Sequence, residues 1–160
     1  MDAKITFDDG EYLKGLNEIT EKLQEGIEKL NKKNSRGFVD ALMFVAKESQ
    51  QRAPVDTGDL RGSIQVEING EIYAEGEKIS NDSSENEKER VKITNRAINV
   101  VGALPEHATT GVVSFNTKYA AQQHEQINYH HEEGQAKYLE SVLVEEEDRI
   151  LQLIANGKVE

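Results

Sequence analysis

Three observations predict an α+β fold. The first third of the chain repeats apolar residues at helical spacing, an Asn69-Gly70 dipeptide separates two short alternating runs, and helical spacing returns after Tyr119. The architecture expected is two N-terminal helices, a small antiparallel sheet with a hairpin, then a short helix and a long C-terminal helix packed on that sheet. No internal repeat or Pro/Ser linker separates two cores, so residues 1–160 read as a single domain.

The first helix is expected from about Gly10 to Leu30, opened by Asp8 with Glu11 three residues on in a capping-box pattern. Leu16, Ile19, Leu23, Ile27 and Leu30 form one apolar face, and Glu and Lys residues fill the others. That face packs on its own domain or on a neighbouring subunit. Asn34 or Ser35 is the expected cap of a second helix, whose buried stripe is Phe38, Leu42, Val45, Ala46 and Ser49. Ala53 closes it, and Pro54 stops it by removing a backbone donor.

Asp56, Thr57 and Gly58 supply turn chemistry, and beyond Leu60 and Arg61 the pattern turns to alternation: Ile64, Val66 and Ile68 point one way. Ile64 to Ile68 pairs with Ile72 to Glu75 across Asn69-Gly70, a strong hairpin signal. Residues of about 77–90 are dense in charge and amide and read as a mobile loop. Val91, Ile93, Ile98, Val100 and Val101 form another extended stretch, with a change of phase at Thr94 to Ala97 where a bulge or bend would restore the register. Gly102 to Thr110 is a flexible connection, and Val112, Val113 and Phe115 form the last strand. Thr117 is the expected cap of a short helix carrying Tyr119 to Gln126. The last helix is expected from about Gln135 to Ala155, with Ala136, Leu139, Leu143, Ile150 and Ile154 inward. Glu145 to Asp148 interrupt that face, so the helix beyond Val144 is expected to leave the core, to meet a neighbour or to stand in solvent. Ile150, Leu151 and Ile154 are then candidates for an assembly surface.

Composition narrows the function. The chain has 36% hydrophobic and 31% charged residues, which suggests a modest core and a partner surface. A net charge of -11 argues against autonomous nucleic-acid binding, which needs clustered Lys and Arg. There is no Cys, hence no disulfide framework or thiolate metal site. No apolar run approaches the ~20 residues of a membrane span. The opening MDAKITFDDGEY has no basic region followed by an apolar core, so a soluble protein without a secretory leader is expected.

Pro54 to Ile64, PVDTGDLRGSI, resembles a signature of the minor capsid and tail-completion, or neck, proteins of long-tailed bacteriophages and prophages. Downstream, KYAAQQHEQINYHHEEGQAKYLESVL resembles that family's closing pattern: a Tyr-Ala pair opening a short helix, a Glu within it, a loop, then a last helix. Its His-Glu and Gly-Gln-Ala-Lys segments are closer to the minor-capsid branch than to the commoner Glu-x-Gly-Thr form. The resemblance implies a structural virion protein assembled in the bacterial host cytoplasm, with no catalytic residues and no cofactor. It also implies partners: copies of itself in a ring, and neighbouring connector, portal-side or tail proteins. Pro54, Asp56, Thr57, Gly58, Leu60 and Arg61 would then be a structural turn.

Two alternatives have their own residues. His124, Glu125, His130, His131, Glu132 and Glu133 are the densest set of metal-ligand types, as for a metal-dependent hydrolase. A zincin needs HExxH so that two histidines face one ion, however, and HEQIN puts Asn128 in the second place. The acidic balance alone would suit a module that binds a basic protein. Asp56 and Asp59 read as turn and ion-pair residues, Tyr119 and Tyr138 as core, and Glu125 as a partner of the turn or of Arg61.

Overall fold

The computed structural model describes residues 9–55, 58–77 and 98–156, with side chains of the first helix from residue 14 onward. Asp56, Thr57, the expected Asp8 cap, the charged loop beyond Glu77, Val91 and Ile93 of the expected extended stretch, and the bulge or bend at Thr94 to Ala97 lie outside the described residues.

Instead of two N-terminal helices there is one. Helix α1 runs from Asp9 to Arg52, 44 residues, or about 66 Å at 1.5 Å per residue. Asn34 and Ser35 cap nothing. Ser35 is buried in mid-helix, where its Oγ donates to the Glu106 carbonyl at 2.9 Å and accepts the Ala108 amide at 2.9 Å. Those two bonds give a residue that usually favours caps a reason to stay inside a helix. They also tie the connection between the third and fourth strands to α1.

The middle of the chain follows the expected hairpin. A single helical turn, α2 (Asp59–Gly62), leads into β1 (Ile64–Ile68) and β2 (Glu71–Gly76). Asn69 and Gly70 join the strands with φ of 54° and 84°, the pair of positive angles that a tight two-residue hairpin turn requires. With β3 (Ile98–Val100) and β4 (Gly111–Phe115), the order is β3-β2-β1-β4, antiparallel throughout. Val66 pairs with Ala74 but Glu67 pairs with Ile72, which leaves Tyr73 as a bulge. The Tyr73 carbonyl accepts the amides of Val101 and Gly102 at 2.9 and 3.0 Å, anchoring the chain after β3.

The C-terminal half of α1 lies on one face of this sheet. Ala46 meets Ile64, Val66 and Ala74, with Leu42, Met43, Val113 and Phe115 around them. A second cluster, Ala53, Leu60, Ala120 and Tyr138, sits under the turn, and Phe115 touches both. Its ring meets Tyr138 edge-on at 4.9 Å.

The expected long C-terminal helix is two shorter ones, and the end of the chain packs along α1 rather than on the sheet. After α3 (Ala120–Glu125) come α4 (Glu140–Glu145) and α5 (Glu147–Asn156), parted at Glu146. Buried Leu153 faces α1, and Gly37 lets the backbones close up: a Cβ there would lie 2.5 Å from the Ile154 carbonyl oxygen. Arg149 stands over the Phe44 ring at 4.8 Å. Thr117 does not cap α3, whose N-cap Tyr119 has no side-chain cap bond. The buried residues are Tyr138, Val142 and Leu153, while Leu143 and Ile154, expected inward, stay exposed.

Candidate assembly surfaces

The turn after α1 is a hub of structural bonds. Gly58, the N-cap of α2, has φ 86°, so the glycine meets a conformational need. Arg61 is buried at the centre, where its Nε donates to the Ala53 carbonyl at 2.8 Å and Nη2 to the Gln51 carbonyl at 2.9 Å. In return Gln50 Nε2 donates to the Arg61 carbonyl at 3.0 Å. Burial lowers the Arg61 pKa, and the charge of Glu133 partly counters it. A guanidinium spent on the carbonyls that end α1 satisfies orphan acceptors of that helix. Pro54 and Leu60 are buried beside it.

The loop after α3 closes over this hub. Gln135 N donates to the Arg52 carbonyl at 2.8 Å, and Arg52 itself reaches Ser141 at 3.1 Å, Glu145 at 2.6 Å and Glu146 at 3.6 Å. Tyr138 Oη donates to the Ala120 carbonyl at 2.9 Å, and burial pushes its pKa up to about 12. The Arg52 ion pairs and the Ser35 bonds join residues far apart in the chain and leave no local sequence signal, whereas Gly37, a glycine inside a helical pattern, is a signal for the α5 contact.

The His/Glu set is not gathered into one centre. His124 stacks edge-on to Tyr138 at 4.9 Å and touches Glu125 at 2.7 Å. Glu125 meets Lys137 at 2.5 Å rather than the turn or Arg61, and the Lys137 bond, then that of His124, holds its carboxyl below the ordinary value. His130 and His131 line an open cleft of about 700 Å³ with Pro54, Gly58 and Tyr119. Among the described residues, no group of three or more His, Asp or Glu side chains is placed to hold a metal ion.

The apolar surfaces are more distinctive. From Lys14 to Leu30, α1 projects beyond the body with its stripe uncovered: Leu16 is 43% exposed, Ile19 57%, Leu23 63%, Ile27 57% and Leu30 60%. Further along α1, Phe38 and Leu42 with Val113 of β4 and Leu139, Leu143, Ile150 and Ile154 border an apolar groove of about 260 Å³. Of the three C-terminal residues expected at an assembly surface, Ile150 and Ile154 line this groove and Leu151 faces solvent. Contiguous exposed apolar surface on a small protein marks contact sites. Among the described residues, no helix is long and apolar enough to cross a membrane.

Buried Ser35, Gln50 and Arg61 thus serve the chain's own backbone, while an apolar stripe and an apolar groove are left uncovered. Residues 17–107 match the HK97-gp10-like family model, described as "Bacteriophage HK97-gp10, putative tail-component". The match takes in 91 of the 160 residues, more than half, and the chain belongs to this family. It takes in the stripe from Ile19 to Leu30, the turn after α1 and the hairpin. No curated protein and no solved structure matches the chain.

Proposed function

We propose that this protein is a minor capsid or neck and tail-completion subunit that helps join phage head and tail by assembling with copies of itself and with neighbouring connector, portal-side or tail proteins. It works in the virion, is assembled in the host cytoplasm, and acts by surface burial without catalysis or a cofactor. Membership of a phage tail-component family supports the role. The observation that carries the assembly reading is the α1 stripe, five large aliphatic side chains that the chain itself leaves in water. Burying such side chains contributes about 1.5–3 kcal/mol each before ordering costs, so a partner on this face has a large driving force. Pro54, Gly58, Leu60 and Arg61 serve to hold the body rigid behind it.

The test is genetic. Particles made without this gene should contain filled heads and complete tails that are not joined, and the wild-type chain should restore infectivity. His124→Ala and His131→Ala should restore it too. Hydrolytic activity lost with His124→Ala, or normal particles without the gene, would sink the reading.

A further inference from the structure

We infer that copies of this chain join head to tail, the α1 stripe of one copy lying in the groove between α1, β4, α4 and α5 of the next. This rests on the assembly reading above and names the mating surfaces.

Four observations lead to it. The stripe and the groove are both apolar, the groove has room for an aliphatic side chain or two, and a helix laid in a groove is a common way to bury such a stripe. The stripe cannot fill its own groove: with α1 continuous, Leu23 stands about 22 Å along the axis from Phe38, and the helix does not bend back.

Nor does the stripe suit pairing with itself. Leu16, Leu23 and Leu30 recur every seven residues, which puts Lys22 and Lys29 on one flank of the stripe and the uncharged Thr20 and Asn31 on the other. Two antiparallel stripes would set lysine against lysine, and two parallel ones would set lysine against uncharged side chains. Neither arrangement gives these cations a carboxylate.

The groove does offer carboxylates. Glu140 lies one turn before Leu143 on α4, and Glu147 one turn before Ile150 on α5, so each shares a face with a groove-lining residue. Both are exposed. Glu140 already holds Lys137 at 3.1 Å, which makes Glu147 the freer site for an incoming lysine. In a chain of net charge -11, a contact that sets a lysine flank on an acidic rim offsets the repulsion between copies.

The two surfaces lie on different parts of the chain, so the contact is heterologous and repeats from copy to copy. Such a contact closes into a ring if the rotation allows.

The chain has no Cys, so an introduced pair reports on this contact alone. Ile27→Cys and Leu143→Cys, combined in one chain and supplied to particles lacking the gene, should give a ladder of covalent multimers under oxidation, and neither single variant should. Lys22→Glu with Lys29→Glu should lower the multimer yield, and Glu147→Lys should restore it. Particles that contain the chain in normal amount but yield no ladder would overturn the contact and leave the assembly role standing. A fast-migrating monomer, the sign of an internal disulfide, would overturn it in favour of a stripe folded back on its own groove. Particles that lack the chain altogether would overturn the assembly role, and the contact with it.

Discussion

Tyr138 joins a titratable group to the packing that holds the hub together. Its ring fills the second core cluster and its hydroxyl satisfies the Ala120 carbonyl. Because the folded pKa is raised from 10.0 to about 12, the folded state keeps a proton that the unfolded chain gives up. The stabilisation is therefore complete below pH 10 and is lost as pH climbs toward 12. Tyr138→Phe should cost about 1 kcal/mol at pH 7, the net worth of one hydrogen bond, and should remove this alkaline loss. Urea midpoints of the two proteins should converge between pH 8 and 11.5; parallel curves would show that the hydroxyl is not what titrates. Gly58 gives a simpler case. A β-branched residue at φ 86° is strained, so Gly58→Val should cost roughly 1–3 kcal/mol, read as a drop in Tm of about 2–4 °C per kcal/mol. The sequence showed the need at Gly58, since Asp-Thr-Gly after a proline is a turn on local grounds. It could not show Ser35, whose partners lie 71 and 73 residues away.

That same residue explains the main difference at the level of elements. Asn31 to Gly37 has the composition of a helix boundary, with amides, a hydroxyl and a glycine together, and a break between two helices is the local reading. Tertiary contacts reverse it: Ser35 is bonded to the β3–β4 connection and Gly37 lies flush against α5. The Asn69-Gly70 hairpin was legible because its turn needs only its own two residues. The C-terminal break at Glu146 was not, since the apolar spacing continues through it. A projecting helix of this kind has a dynamic consequence. Residues 14–30 lack the packing that supports the rest of α1, and isolated helices of such length are marginal in water. In the free protein their amides should exchange much faster than those of residues 38–50, which lie on the sheet. In assembled particles the difference should close. Equal protection along α1 in the free monomer would mean that the stripe is already covered.

For the molecule as a whole, folding and assembly draw on separate apolar surfaces, and substitutions can tell them apart. Ile64 is 1% exposed in the main cluster, so Ile64→Ala should cost about 2–5 kcal/mol through lost burial and the cavity left behind. Leu23 and Ile27 are both more than half exposed on a helix that stands away from the body. Leu23→Asp with Ile27→Asp therefore removes nothing from the core, and the melting of the body should change little. The charged pair should nevertheless abolish complementation of phage lacking the gene, because two carboxylates would have to enter an apolar partner surface unpaired. Ile150→Asp with Ile154→Asp acts on the other surface, but those residues also border α1, so some loss of stability should accompany the loss of assembly. The diagnostic outcome is the contrast: a stripe variant as stable as wild type and unable to join heads to tails, beside an Ile64→Ala variant that melts earlier yet still joins them at permissive temperature. If the stripe variant supports infection as well as the wild type does, the projecting half of α1 is not the joint, and the five exposed aliphatics serve some purpose other than assembly.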